Sequence, residues 1–472
     1  MHRFLLDNDG SNFFCHTMTD DVEGSVAEAV RECPRNVTTY LLCAGGGTHY
    51  FPTQVSRVVP TAERLLAAHG RGIDPFGLFL AALREAGKET FITLRMNDVH
   101  NPDDPCGWNT PRLKLTHPEY VVDAEAVREK HGGWMAHCLD YSRAEVREYF
   151  LALIRELAER YDFDGLQLDW MRFPRHLPGG PAEVWEKRDA ITEFTRAVRG
   201  LLDAARRGRR RLLAVRVPTS LGGCRFVGLD VAAWAREGLV DFLVASPFLT
   251  TDFTMPLAEM RAALGAHPPP IYAAMDLSHG GQIHCPESMR AAAAGLFSCG
   301  ANGIYLFNFP CWTERLAARP YHWLQGLDEP GGVVQKPLLF SVSHRQYRLA
   351  DVDLPWQLPA PLPAGGRLDL RLTLPRVVFP IWRAIISVHS SGDIAIAVNG
   401  VPAVLHPALR RAEIFLEYTS QVPERAKRRP PDEECRVFYT DPAAWRAGEN
   451  NLVLTNAGSK ELQIGRLNVG LW

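Results

Sequence analysis

Tyr161-Asp-Phe-Asp-Gly-Leu-Gln-Leu-Asp169-Trp-Met-Arg-Phe-Pro174 reads as a helix end, a tight Asp-Gly opening, a short strand, and a carboxylate where the strand runs out. In a strand of period two, Gly165, Gln167 and Asp169 share one face while Leu166 and Leu168 share the other. A polar face backed by an apolar one suits a closed parallel barrel. One side meets surrounding helices, and the other looks into a barrel whose upper rim carries chemistry.

Working outward, His2 to Asp7, Val37 to Ala44 and Thr90 to Asn97 read as the strands before it. Leu212 to Val217, Val240 to Ser246, Pro270 to Asp276 and Gly303 to Asn308 read as those after. Thr90 to Asn97 alternates strictly, with Ile92, Leu94 and Met96 opposed to Thr93, Arg95 and Asn97. In the same way Leu213, Val215 and Val217 oppose Ala214 and Arg216. Helical segments separate the strands, and Ser142-Arg-Ala-Glu145 before Val146, Phe150, Leu153, Ile154 and Leu157 predicts a capping box. This cadence predicts an α/β fold, a (β/α)8 TIM barrel over residues 1–328. A doubly wound open sheet is the competing count.

Past Asp328-Glu-Pro-Gly-Gly332 the helical periodicity fades. Short alternating runs (Leu368 to Leu374, Ala384 to His389, Ile394 to Val398, Leu452 to Leu454) and the turn signal Asn399-Gly400 predict a C-terminal β-sandwich, jelly-roll-like, over residues 333–472. Its expected role is structural, docked on the barrel.

The chain has 472 residues, with 52 Lys and Arg against 54 Asp and Glu, so no global field favours nucleic acid or an acidic membrane. No stretch approaches the roughly 18 uninterrupted apolar residues of a membrane span. Ten cysteines are scattered without a CxxC pair, and no secretory signal is visible, which together predict reduced thiols in a cytoplasmic protein. Homo-oligomerisation stays open.

In barrel enzymes the reactive groups sit at the carboxyl ends of strands. Those ends supply Asp7 and Asp9, His49 and Tyr50, Arg95, Asn97 and Asp98, Asp169 and Arg172, Arg216, Ser246 and Asp252, Asp276, and Asn308. Glycosidic cleavage needs one carboxylic acid for the leaving oxygen and one carboxylate to attack the sugar or activate water. Parity makes Asp169 the first candidate, with Asp276, Asp98 and Asp252 as candidate partners. Each partner reads equally as an Asx-turn or helix cap, and Asp169 itself could pair with Arg95 or Arg172 to hold loops. Tyr50, Arg95, Asn97, His100, Trp170, Arg172, Arg216, Trp312 and Asp7 are the candidate substrate-binding residues. Arg95 and Arg216 either neutralise buried aspartates or grip an anionic substituent. Trp108, Trp134, Phe173 and Phe248 also fall in predicted rim loops, where rings stack on sugar faces or pack the loops themselves. The irregular stretch from Asp98 to Tyr141 is placed over the active face.

There is no HExxH and no Cys/His spacing, so no metal or other cofactor is expected. Gly45-Gly46-Gly47 lacks a following Gly-Lys-Ser/Thr and reads as a flexible rim turn, and no GxSxG elbow is present. The basic runs Arg206 to Arg211 and Arg425 to Arg429 read as solvated.

Cys138-Leu-Asp-Tyr-Ser-Arg-Ala-Glu-Val-Arg-Glu-Tyr149, Arg160 to Pro174, Arg95-Met-Asn-Asp-Val-His100 and His117-Pro-Glu119 together resemble blocks of glycoside-hydrolase-like family 10. Its members are (β/α)8 proteins akin to the hypothetical glycosyl hydrolases of domain of unknown function 187. The resemblance spans about residues 1–325 and implies a glycosidase whose strand-four carboxylate, here Asp169, is catalytic. No glutamate at a later strand end offers itself as acid/base, so the partner of Asp169 stays open. The expected activity is hydrolysis of a glycosidic bond in an oligo- or polysaccharide fragment, charged glycans included. Asp169→Asn is expected to lower turnover with folding intact. The rivals are a non-catalytic glycan-binding barrel, and a lyase or isomerase using Asp98, His100 and Asp169 around a divalent metal.

Overall fold

Eight short strands, each long enough to place one or two inward side chains above the barrel floor, close on themselves in a computed structural model. It describes residues 3–100, 107–129, 133–205, 208–276, 278–279, 282–314, 321–343, 352, 354–377, 379–407 and 434–472. The strands are β1 (Leu5–Asn8), β2 (Thr39–Cys43), β3 (Glu89–Arg95), β4 (Gly165–Asp169), β5 (Leu212–Val217), β6 (Phe242–Ala245), β7 (Ile271–Met275) and β8 (Ile304–Leu306). All pairings are parallel, and β1 bonds both β2 and β8, which closes the ring and removes the open-sheet alternative.

Register puts Asp169 beside Arg95 of β3 and Arg216 of β5. The barrel interior is a packed core of its own: Leu5, Leu41, Phe91, Phe242, Tyr272 and Tyr305 are buried together, apart from the larger core between strands and helices. Gly165 is required there, since a Cβ would lie 2.2 Å from the Phe91 ring. Phe91 in turn packs on Phe242, with ring centroids 5.4 Å apart.

The crossover helices are α1 (Val22–Glu32), α2 (Pro75–Glu85), α3 (Ala144–Arg160), α4 (Asp189–Ala204), α5 (Val231–Arg236), α6 (Leu257–Ala263) and α7 (Pro286–Ser298). Asp21, Asp74 and Asp230 cap α1, α2 and α5 by accepting first-turn amides. In α3 the predicted stripe of Val146, Phe150, Leu153, Ile154 and Leu157 is buried. The predicted capping box before α3 does not form. Ser142 Oγ donates to Asp140 Oδ1 (2.6 Å), and the helix starts behind Arg143 without a side-chain cap. Asp140 is the better acceptor and sits two residues back, so the serine closes a turn on it instead.

The basic run before β5 needs a second correction. Arg209 pairs with Asp162 and Asp164, and Arg210 with Asp241. Arg211 is 1% exposed, donates to the carbonyls of Ala158 and Tyr161 (both 2.9 Å), and lies 4.2 Å from the centre of the Phe163 ring. These residues lock the C-terminal end of α3 to β5 at the face opposite the site. Arg211→Ala is therefore expected to cost about 3 kcal/mol by orphaning two buried carbonyls, read as a lowered thermal midpoint. Positions 206–207 and the run at 425–429 lie outside the described residues.

The C-terminal part is antiparallel. One sheet runs β9 (Leu338–Ser341), β18 (Leu462–Leu471), β12 (Ala384–Ser390), β16 (Glu434–Thr440), β15 (Val404–Leu405), with β10 (Ala360–Leu362) also on β18. The other runs β11 (Arg367–Leu374), β17 (Gly448–Thr455), β13 (Ala395–Val398), β14 (Val401–Pro402). Leu370, Leu372 and Leu374 of β11 are buried while Asp369, Arg371 and Thr373 are exposed. The Asn399-Gly400 hairpin has both residues at positive φ, as its turn type requires. Strand β9 lies against α7: Arg290 donates to the Pro337 carbonyl (2.9 Å) and Phe340 meets Phe253. Nine described cysteines are in no disulfide, and among the described residues no helix is long and apolar enough to cross a membrane.

Candidate active site

Strand β4 ends by aiming Asp169 inward and then turns sharply around it. The amides of Met171 (2.9 Å) and Arg172 (3.1 Å) donate to Asp169 Oδ1, folding the chain back over the rim. Phe173 completes the turn at φ 61°. Leu249 after β6 (φ 51°) and Asn308 after β8 (φ 49°) are also left-handed, so three rim loops carry strained non-glycine residues. From β5, Arg216 Nη1 donates to both Asp169 oxygens (2.9 Å each), Nε donates to Ser246 Oγ (3.0 Å), and the guanidinium lies 3.6 Å from the centre of the Phe307 ring. Arg216 and Asp169 form an ion pair almost sealed from solvent, with side chains 1% and 3% exposed.

Strand β3 contributes a second charge group. Arg95 donates to Asp98 Oδ2 (2.8 Å) and Asp9 Oδ2 (3.3 Å). The other Asp98 oxygen accepts from His100 Nδ1, and His100 Nε2 accepts from Arg172 Nη2 at 2.9 Å. Burial alone would push the Asp98 carboxyl up. His100 and Arg95 outweigh it and hold that carboxyl well below the usual carboxylate range. Asp9 is likewise held low: Arg95, Cys311 and Ser11 overcome its burial. Neither is suited to give up a proton near neutrality.

Asp7 is the exception. Burial first, and the Asp169 charge second, push its carboxyl up to about 7 against the pull of Arg216 and Arg95. Tyr305 Oη donates to Gln167 Oε1 (2.9 Å), and the Asn308 amide donates to Asp7 Oδ1 (3.3 Å).

The remaining candidates are placed as follows. Asn97 is a brace, donating to the Arg175 carbonyl (3.0 Å) and accepting from the Leu139 amide (2.7 Å). Trp170 is wholly buried on the helix side against Tyr141, His176 and Phe194, and presents no surface to a ligand. Tyr50 is buried and stacks on Phe14 at 4.9 Å. Asp276 is half-buried after β7, its backbone bonded in both directions to Thr251 Oγ1, and Asp252 is half-buried in the β6 loop. The Trp312 side chain lies outside the described residues. The triple glycine is a packed turn and not a flexible one. A Cβ on Gly46 would sit 2.5 Å from the Asp98 Cβ, and one on Gly47 1.6 Å from the Asn109 carbonyl oxygen. These glycines let β2 close over Asp98.

Sequence reasoning missed Tyr305, which reads as one more core aromatic between Ile304 and Leu306. It also passed over Cys311, whose Sγ reaches Asp9 Oδ1 at 2.8 Å. Parity with Gln167 across the barrel was the only available signal for Tyr305. Among the described residues no three His, Cys, Asp or Glu side chains converge as a metal-binding set. Asp98 and His100 instead address Arg95 and Arg172.

No family model matches the chain, and no curated protein matches it in sequence. Among solved structures it is similar to α-L-fucosidase isoenzyme 2 from Paenibacillus thiaminolyticus, at 15% identity over 69% of this chain and 48% of that one (TM-score 0.45). It is also similar to a cycloisomaltooligosaccharide glucanotransferase from Paenibacillus sp., at 9% identity over 99% of this chain and 57% of that one (TM-score 0.37). The glycoside hydrolase domain of PgaB (BpsB) from Bordetella bronchiseptica is similar at 12% identity over 69% of this chain and 98% of that one (TM-score 0.46). The chain thus spans about half the length of the first two.

Proposed function

We propose that the protein hydrolyses a glycosidic bond in an oligo- or polysaccharide fragment, with Asp169 as the anionic carboxylate and Asp7 as the proton donor. The observation that carries this reading is the contrast between two inward carboxyl groups at one barrel mouth. Asp169 is matched by Arg216, whereas Asp7 is pushed up to about 7 by burial and by Asp169. Paired carboxyl groups whose surroundings separate their proton affinities divide the acid and base roles between them.

In this scheme Asp7 gives its proton to the glycosidic oxygen as the bond from that oxygen to the anomeric carbon breaks. Asp169 faces the positive charge that develops on the sugar, and either bonds to the anomeric carbon or directs water to it. Asp98, one of the three candidate partners, serves to fix Arg95 and His100. Asp276 and Asp252 are not needed in this scheme.

Reducing-sugar release across a panel of neutral, uronic and sulfated oligosaccharides tests the proposal. Cleavage of at least one member, abolished in Asp169→Asn, is the expected result. One observation favours a second reading, a glycan-binding barrel without catalysis: Arg216 covers both oxygens of Asp169. Oligosaccharide binding with no release from any panel member would establish that reading and end the first.

A further inference from the structure

We propose that Arg172, His100 and Trp134 form a binding site for an anionic sugar unit, a uronate carboxylate or a sulfate ester, beside Asp169. The proposal rests on the glycosidase reading for its location and names the substrate class of that site.

Arg95, Arg172 and Arg216 differ in what they meet. Arg216 is matched by Asp169, and Arg95 by Asp98 and Asp9. Arg172 forms no ion pair among the described residues. Its Nη2 lies 2.9 Å from Nε2 of His100, and its Nε is buried with no acceptor. A buried guanidinium N–H without an acceptor is costly unless something else supplies one. Burial, and then Arg95, pull the Arg172 guanidinium below its ordinary value, a trend that an incoming anion would reverse.

The surroundings hold Arg172 in one pose. His100 is oriented by Asp98 through Nδ1, which leaves Nε2 as the acceptor that fixes the guanidinium. The guanidinium carbon lies 5.2 Å from the centre of the Phe173 ring, the residue whose left-handed backbone stores strain. Phe173 leans in turn on Trp134 (5.7 Å), which also lies 6.5 Å from His100. Trp134 is 55% exposed, the most exposed large hydrophobic side chain among the described residues of the barrel. An open indole next to a fixed guanidinium suits a pyranose that carries an acid: the ring stacks on the apolar sugar face, and the fork takes two anion oxygens. Arg95 and Arg216, the sequence-based candidates for that grip, are already taken by carboxylates of the chain.

The test is direct binding to the full-length protein, by calorimetry or tryptophan fluorescence, of paired probes that differ only in charge. The probes are oligouronates against the same oligosaccharides after carboxyl reduction, and sulfated against desulfated oligosaccharides. At least one charged member should bind about tenfold or more tighter than its neutral partner. The pair that shows the preference tells carboxylate from sulfate. Arg172→Gln should collapse that ratio to within about twofold, and Trp134→Ala should weaken both members alike. The proposal is overturned if no charged probe beats its neutral form on the wild-type protein, a comparison that needs no variant to fold. It is also overturned if a folded Arg172→Gln keeps the preference. Charge-selective binding with no bond cleaved would remove the glycosidase reading and leave this one standing. Cleavage of neutral glycans with no charge preference would do the reverse.

Discussion

Asp169→Asn should lower turnover on any responsive oligosaccharide by several orders of magnitude, and it should also destabilise the protein. The first effect follows from removing the anion that meets the developing charge on the sugar. The second follows from Arg216, which is 1% exposed and loses its counter-charge. Breaking one side of a buried pair typically costs about 3–5 kcal/mol, because the remaining charge stays desolvated. The sequence alone leads to an expectation of an intact fold. The buried partner revises that expectation. Adding Arg216→Gln to Asp169→Asn should restore part of the lost thermal midpoint without restoring turnover, a non-additivity that thermal unfolding and steady-state rates read separately. A single variant that keeps near-normal rate would end the assignment of Asp169.

Asp7→Asn should act through pH. In the folded protein the Asp7 carboxyl sits at about 7 against 3.8 when unperturbed, so it is raised. A raised carboxyl binds its proton more tightly folded than unfolded. Its favourable contribution is complete below pH 3.8 and is lost as pH climbs to about 7, beyond which the loss is constant. At about 1.36 kcal/mol per pH unit across that window, the plateau is on the order of 4 kcal/mol. The asparagine variant should therefore match wild type near pH 3.5, gain on it steadily to pH 7, and hold its lead above. Activity should move the opposite way. Wild-type kcat/KM should fall as pH rises through 7, and the variant should lose most of its rate together with that alkaline limb. If thermal midpoints of the two proteins track each other from pH 4 to 9, Asp7 is not the perturbed acid.

Both predictions depend on what could be read before the structure and what could not. Strand parity carried far: Arg95, Gln167, Asp169 and Arg216 face inward as alternation requires, and the eight barrel strands match their expected spans to within a residue or so at the ends where they overrun, Asn8 of β1 and Glu89 of β3. Trp170, expected to bind substrate, is instead buried against the helices, as the same parity one residue beyond Asp169 requires. What parity cannot give is which strand faces which across a closed ring, because that is set by the shear of the barrel and not by local pattern. Asp7 reads as one more rim aspartate until Asp169 is known to raise it. The basic run ending in Arg211 reads as solvated because its partners come from two other connections, Asp162 and Asp164 before β4 and Asp241 before β6. Ser142 was misread for the opposite reason, since a nearer acceptor, Asp140, competed with the helix start.

Helix α7 has a further consequence. Ala291, Ala292, Ala293 and Ala294 are successive and all buried, so the helix has no solvent face along that turn. A helix apolar all round is a core element, and this one is enclosed by the barrel on one side and β9 on the other. The last crossover of the barrel thus completes its burial only when the following β-sheet is present. Truncation before β9 is therefore expected to uncover α7 and to lower the thermal midpoint of the barrel, which thermal unfolding of the shortened chain would read.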